Sequence, residues 1–471
     1  MTDEEYFNDE EFREMLDDYE RTVADGQLVF MDVDDLADIA EYYQLHERYD
    51  DAQRAIDRAI ELQPDSIIAL NYKAHEAIGN GDYQAAKDYL ERMDDKQAPE
   101  YIYSRAEIMM AQGMTDEADQ YLLDCVKDLP RDEYQDYVID IANLWTEYGN
   151  SEKGMEWMLR AHPEETEDFK ELMARTYFGI GAYDDSERLF NELLDKNPFQ
   201  KRYWNALAST QYMKEDYSGA ITSSEYAIAI DPDDPDALLA KANALNSLNN
   251  SEEAIKYYEC YLAKMPDDEF ALLNTGSCLV NVGKYEEAIP KLKKAEELAA
   301  PDSQYLADIY QELAFAYSEL HKPETALFYI DKTLSMDCNQ NEMLVIRGHI
   351  LLSNNFNDEA EQSYKQAISQ SGYDPHIILR AAISIYDNQY VTTAYSMLTQ
   401  LLDTVSDDWN RGYSYMALCC HDLGRHKEYL HYLEEACRRN PEEAKGALGF
   451  LFPEGMAPSD YYQYELNRLN T

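Results

Sequence analysis

Few residues in this chain have the types and spacing that catalysis or metal binding needs. The nearest approach to a metal-binding set is Cys419, Cys420, His421, His426 and His431. The helical pattern places them on one helix, a turn and the next helix, so they do not share one face. The 94 acidic residues are so frequent that neighbouring carboxylates do not indicate acid–base chemistry. We therefore predict no metal site, no cofactor and no enzymatic activity.

The charge of the chain narrows the classes of partner. Its 471 residues include 94 Asp and Glu against 40 Lys and Arg, a formal net charge of −54. Such a surface repels phosphate backbones, so we expect no nucleic-acid ligand. Seven cysteines without a CxxC pair indicate a reducing compartment. The acidic N-terminus does not resemble a signal peptide, and no apolar run approaches the roughly 20 residues of a membrane span. We expect a cytoplasmic protein without a membrane partner.

The helices that would position any site are predicted by two series of small residues. The first series has steps of 32 to 38 residues and lies in the first helix of each unit: Ala40, Ala74, Ala106, Ala142, Ala174, Ala208, Ala242, Gly276, Ala314, Gly348, Ala382 and Ala417. The longest steps predict longer helices or turns at 130–134 and 299–305. The second series lies in the following helix: Ala52, Ala86, Ala118, Gly154, Ser186, Ala220, Ala254, Ala288, Ala326, Ala360, Ala394 and, less regularly, Tyr429.

The physical reason for both series is helix packing. Two helices approach to roughly 8–10 Å only where the residues at their crossing are small. Small residues in both helices therefore predict twelve helical hairpins. Proline at the ends of several units, and Asp234 before Pro235 as a helix cap and first helical residue, agree with this register.

Residues 202–232 match a known repeat best. Trp204, Leu207 and Ala208 share a face of the first helix, Ala220 and Ala227 share a face of the second, and Pro232 ends the pair. This pattern resembles the tetratricopeptide repeat, a 34-residue helix–turn–helix unit. The resemblance implies an all-α, right-handed superhelix of about twelve repeats over residues 33–441. Residues 1–32 would form an acidic segment with a capping helix, and residues 442–471 would form C-terminal capping helices. For both ends, binding to a partner is the alternative.

The resemblance also implies a function, that of a protein-interaction scaffold. In this family the first helices line a concave groove that binds extended peptides or helices of other proteins. At inward positions the early repeats are acidic, whereas the middle repeats are polar and rich in Asn, which helices disfavour. Solvated or helix-to-helix amides are the alternative explanation. The predicted peptide-binding residues are Arg175, Phe178, Arg202, Asn205, Ser209, Tyr212, Asn243, Asn246, Asn274, Ser277 and Asn281.

The acidic flanks of this predicted groove favour partners with basic stretches, and a homodimer is also possible. The alternative function is an acidic electrostatic decoy or chaperone that captures basic proteins by charge alone. Salt distinguishes the two, because screening weakens capture by charge.

Overall fold

The computed structural model describes residues 7, 9–46, 48–163, 166–336, 339–453 and 455–469. Within these ranges the protein is all-α, with 27 α-helices, one 3₁₀ turn at Gly449–Leu451 and no strand. The chain divides into two compact units, Met1–Asp216 and Tyr217–Thr471. The predicted segments 1–32 and 442–471 include residues 1–6, 8, 454, 470 and 471, which lie outside the described residues.

The first unit contains twelve of the helices. They are α1 (Glu10–Ala24), α2 (Val33–Leu45), α3 (Tyr49–Leu62), α4 (Ile67–Gly79), α5 (Tyr83–Arg92), α6 (Pro99–Ala111), α7 (Thr115–Val126), α8 (Arg131–Glu147), α9 (Ser151–Met158), α10 (Glu167–Gly179), α11 (Tyr183–Lys196) and α12 (Lys201–Met213). From α2 to α11 they pack as successive hairpins, α2 with α3 through α10 with α11.

The second unit contains the other fifteen. They are α13 (Tyr217–Ile230), α14 (Pro235–Ser247), α15 (Ser251–Leu262), α16 (Glu269–Asn281), α17 (Tyr285–Leu298), α18 (Leu306–Glu319), α19 (Pro323–Leu334), α20 (Gln340–Ser353), α21 (Asn357–Gln370), α22 (Pro375–Asp387), α23 (Val391–Thr404), α24 (Tyr413–Asp422), α25 (His426–Arg439), α26 (Pro441–Leu448) and α27 (Pro458–Leu469). Hairpins again form from α14 with α15 through α24 with α25.

Small residues lie where the helices of a hairpin meet, as the sequence predicts. Ala242 of α14 and Ala254 of α15 are both fully buried. Gly276 lies against Leu292 of its partner helix, so closely that an added Cβ would be 2.5 Å from the leucine side chain. These two hairpins therefore close on residues with little or no side chain.

The two irregular steps in the series also have structural counterparts. Helix α8 has 17 residues, whereas most first helices have 13. The chain between α17 and α18 runs from 299 to 305 and contains two turns. Both predicted irregularities are thus confirmed, one as a longer helix and the other as a longer connection.

The ends of the chain bury apolar side chains in the neighbouring hairpins. Phe12 and Tyr19 of α1 join the core that contains Leu36, and the Tyr43 hydroxyl donates to the carboxylate of Glu20 at 3.1 Å. At the other end, α26 and α27 pack on α25. The roles of the terminal segments as caps, and the extent of the array over 33–441, stay predictions.

Candidate functional site

The first helices of successive hairpins lie side by side and form what we call the first-helix face of each unit. In the first unit α2, α4, α6, α8 and α10 contact one another in order, and in the second unit α16, α18, α20 and α22 do the same. The residue directly after each small residue of the first series is often found on this face. His75, Glu107, Phe315 and His349 are examples.

In the first unit, three of the predicted site residues have partners on neighbouring elements. Arg175 donates to the side-chain oxygen of Asn143 at 3.3 Å. Arg202 forms an ion pair of 2.8 Å with Glu171. The rings of Phe178 and Tyr183 are 5.8 Å apart. These side chains therefore already link adjacent helices.

The other three first-unit residues of the predicted site lie on α12. Asn205 and Tyr212 are partly buried, whereas Ser209 is exposed. Their contribution to a binding site stays a prediction.

In the second unit, most of the predicted amides also connect helices. The Tyr258 hydroxyl donates to Asn243 at 2.7 Å, and Asn246 donates to the side-chain oxygen of Asn274 at 3.4 Å. Ser277 donates to Glu312 at 3.0 Å. Helix-to-helix amides, one of the two explanations for the asparagines, are thus present here.

Asn281 differs from these asparagines because it is exposed and lies at a cavity on the first-helix face of α16, α18, α20 and α22. This second-unit cavity has a volume of about 320 Å³. Its apolar lining residues are Val280, Phe315, Val345, Ile346 and Ile383, and its polar lining residues are Asn281, Gln311, Glu312, His349, Arg380, Ser384 and Asp387. A cavity of this kind can hold an apolar side chain and offer hydrogen bonds around it.

Burial sets the ionisation of the polar groups in the second-unit cavity. It raises the pKa of Glu312, an effect that the hydrogen bond from Ser277 only partly opposes, and it also raises the pKa of Asp387. Burial lowers the pKa of His349, which lies 3.0 Å from the Ser384 hydroxyl and stacks on Phe315. All three shifts favour the uncharged form of the group.

Arg380 provides the positive charge of the second-unit cavity. Its side chain is exposed and makes no ion pair or hydrogen bond within the part of the chain that the structure describes. It is therefore available to an anionic group.

The sequence analysis did not select Arg380, His349 or Asp387, although a signal was present. Relative to Gly276, the predicted site residues have offsets of −2 for Asn274, +1 for Ser277 and +5 for Asn281. The same offsets from Ala382 give Arg380, Ile383 and Asp387. Extending the inward positions to the tenth and eleventh hairpins would have found them.

The first unit has two further cavities on its first-helix face. A cavity of about 660 Å³ lies between α2, α3 and α4, and one of about 400 Å³ lies between α4, α6 and α8. Asn71 and His75 line both. His75 is 2.9 Å from Glu107. Burial lowers the pKa of His75, but the hydrogen bond to Glu107 and the charges of Glu107 and Glu147 outweigh it and raise the pKa overall.

The described residues offer no metal site. No group of three or more His, Cys, Asp or Glu side chains in them could hold an ion. Cys419 and Cys420 are fully buried, and burial raises the pKa of both thiols to about 12. Their thiolate forms are therefore scarce at neutral pH.

A membrane span is also missing from the described helices, none of which is both long and apolar enough to cross a bilayer.

Several solved structures match this chain at low identity. The crystal structure of MamA protein is 20% identical, with 36% of this chain and 92% of that chain covered and a TM-score of 0.33. The crystal structure of the APC/C hetero-tetramer Cut9-Hcn1 is 15% identical over 89% and 90%, with a TM-score of 0.38. PilW, described as a widely conserved type IV pilus biogenesis factor, is 21% identical over 45% and 96%, also with a TM-score of 0.38. No curated protein matches the sequence.

Family models identify the repeat. One tetratricopeptide-repeat model matches residues 38–102 and 172–235, and a second matches residues 212–274. The chain contains tetratricopeptide repeats. The matches begin at residues 38, 172 and 212, which lie in the first helices α2, α10 and α12.

Proposed function

We propose that this tetratricopeptide-repeat protein is a non-enzymatic scaffold that binds an extended segment of a partner protein. The observation that carries the proposal is the second-unit cavity, which combines apolar walls with an arginine that has no described partner. Free thiols at the six described cysteines support a cytoplasmic location.

The chemistry of the second-unit cavity suits a peptide with an apolar side chain close to a carboxylate. Phe315, Ile346 and Ile383 would bury the apolar side chain, and Arg380 would pair with the carboxylate. Asn281 and Gln311 can each donate to and accept from peptide main chain. Of the predicted site, Asn274 and Ser277 lie on the same helix as Asn281, and Ser277 donates to Glu312, which lines the cavity beside Asn281.

The test uses a displayed library of random short peptides against the full chain. We expect selected peptides to carry an acidic residue beside an apolar one, and a photo-reactive residue replacing Gln311 to cross-link to them. The double variant Asn281→Ala, Arg380→Ala should lose binding at least about tenfold, equivalent to about 1.4 kcal/mol. Gln400→Ala with Arg411→Ala is the matched control, because both side chains are exposed outside the cavity.

The proposal fails if the control pair weakens binding as much as the cavity pair, or if no selected peptide cross-links from position 311. Thermal unfolding of each variant, followed by circular dichroism, checks that the fold is retained.

Capture of basic proteins by charge alone is the second candidate function. The net charge of −54 favours it. At about 0.5 M salt the Debye length falls to a few Å, so a complex held only by charge should dissociate. A peptide held in the second-unit cavity should remain bound, because its apolar contacts are not screened.

A further inference from the structure

The first unit has a concave surface of different chemistry, formed by its two adjoining cavities. Together these cavities cross the first helices of four successive hairpins, α2, α4, α6 and α8. Asn71 and His75 of α4 line both, so a ligand can pass from one cavity to the other along a single face. We call this surface the first-unit groove.

One end of the first-unit groove is apolar and exposed. Leu45 at the end of α2, Tyr49 at the start of α3 and Ile68 of α4 are 61%, 64% and 43% exposed, and all three line the larger cavity. Large apolar side chains gathered in one concave site of a protein surface are typical of docking sites. A partner that covers them would bury area that is otherwise left in water.

Apart from His75, which pairs with Glu107, the ionisable Asp and Glu side chains along the first-unit groove all carry negative charge. The acidic lining residues are Asp38, Glu41 and Glu76 in the larger cavity and Glu100, Glu107, Asp140 and Glu147 in the smaller one. Among the residues that the structure describes, no Lys or Arg lines either cavity. The groove therefore repels anions along its length and attracts cations, a complementarity that steers association as well as specificity.

We propose that the first-unit groove binds a basic amphipathic segment of a partner protein, in extended form, with its apolar residues at Leu45, Tyr49 and Ile68. Side chains of an extended chain alternate in direction, so one side can face the apolar residues while Lys and Arg reach the carboxylates. Four helices at roughly 8–10 Å spacing span about 30 Å, which about nine extended residues cover.

The charge of the protein argues against its own segments as occupants. With 94 acidic and 40 basic residues, a second copy would bring more negative charge to a face that already carries it. The N-terminal helix α1 already packs on the core around Leu36 through Phe12 and Tyr19. A basic segment of another protein is the occupant that complements both the apolar and the acidic residues.

This inference rests on the scaffold function but not on the second-unit cavity. Its test uses fluorescence anisotropy of the full chain with three labelled synthetic peptides of equal length: alternating Leu and Lys, alternating Ser and Lys, and alternating Leu and Glu. We expect the Leu–Lys peptide to bind at about 0.15 M salt and to retain measurable affinity at about 0.5 M, where the Debye length is a few Å. The Ser–Lys peptide should bind at least about tenfold more weakly, and the Leu–Glu peptide should not bind.

Two groove variants separate the apolar and the charged contributions. The double variant Leu45→Ala, Tyr49→Ala should bind the Leu–Lys peptide about tenfold more weakly. Its affinity for the Ser–Lys peptide should be unchanged. Glu41→Gln with Glu147→Gln changes two exposed carboxylates and should weaken both basic peptides. The matched controls are Leu159→Ala, which is 76% exposed outside the groove, and Glu117→Gln with Glu152→Gln on the second helices α7 and α9.

The inference is overturned if the Ser–Lys peptide binds as tightly as the Leu–Lys peptide, since charge alone would then explain capture. Equal losses in the groove and control variants would also overturn it, as would no binding of the Leu–Lys peptide. The variant Asn281→Ala, Arg380→Ala lies in the second unit and should leave this binding intact. A negative result in the peptide-library test alone therefore contradicts the proposed second-unit site. A negative result in the anisotropy test alone contradicts binding in the first-unit groove.

Discussion

Single small residues decide whether a hairpin of this protein can close. At Gly348 of α20 an added Cβ would lie 2.6 Å from the ring of Tyr364 on α21. Tyr364 is 5% exposed, and its hydroxyl is 2.7 Å from that of Ser384 on the next first helix. The ring is thus held by both hairpins and has little room to move.

The substitution Gly348→Ala should therefore destabilise the protein. The contact with Tyr364 would cost about 1–3 kcal/mol, more than the roughly 0.5–1 kcal/mol that alanine gains over glycine within a helix. Gly446→Ala is the matched control, because this helical glycine in α26 has nothing within 4 Å of its added Cβ. Urea unfolding should show a lower midpoint for Gly348→Ala and an equal or higher one for Gly446→Ala; the same sign for both would contradict the packing described here.

Side-chain pairing is the part of the site that the sequence could not supply. The small-residue series placed Asn246 and Asn274 on first helices, and the structure puts them 3.4 Å apart. Whether two amides form a hydrogen bond depends on the axial shift between successive first helices. A shift of a fraction of a helical turn decides this, and the spacing of small residues in the sequence does not determine it. The sequence could thus select polar inward positions, but not which of them are engaged with a neighbour and which, like Arg380, have no described partner.

At the scale of a helix, boundaries were predictable wherever capping chemistry is local. Asp234 precedes Pro235 in the sequence, and in the structure its side chain accepts from the main-chain N–H groups of Asp236 and Ala237. Asp374 before Pro375 does the same for α22, accepting from His376 at 2.8 Å. In both cases the aspartate satisfies a donor that the helix itself leaves without a partner.

Removal of the N-terminal cap of α14 should lower the stability of the protein by a measurable amount. Asp234 is 3% exposed, so Asp234→Ala would lose two hydrogen bonds in a place that water hardly reaches. We expect a loss of about 1–2 kcal/mol in the free energy of unfolding. Asp233→Ala is the control, since the exposed ion pair of Asp233 with Lys264 contributes little. If thermal unfolding shows equal losses for the two variants, the loss comes from charge rather than from capping.

For the whole molecule, the sequence indicated the class of fold through repetition rather than through any one motif. Each hairpin packs on its neighbours, so the same small-residue rule recurs in every hairpin. A residue that is wrongly assigned in one hairpin therefore does not change the assignment of the others. The division at Asp216 and Tyr217 had no comparable signal, because it falls within the repeat that matches the family pattern best. A boundary of that kind depends on contacts between distant residues, not on local composition.

A destabilising substitution in one compact unit should lower the urea midpoint of that unit and leave the midpoint of the other unchanged. Three of the four tryptophans, Trp145, Trp157 and Trp204, belong to the first unit, and Trp409 belongs to the second. In a Trp409→Phe background, fluorescence therefore reports the first unit alone. Because a repeat depends mainly on its neighbours, Gly348→Ala should lower the urea midpoint seen by circular dichroism and leave the fluorescence midpoint unchanged.

Gly154→Ala provides the mirror experiment in the first unit. Its added Cβ would lie 2.5 Å from the Thr146 hydroxyl oxygen and 3.2 Å from the main-chain oxygen of Ala142, so the hairpin of α8 and α9 must open. This variant should lower the fluorescence midpoint. If Gly348→Ala lowered the fluorescence midpoint as much as Gly154→Ala does, the protein would unfold as one cooperative body, because a substitution in the second unit would then destabilise the first.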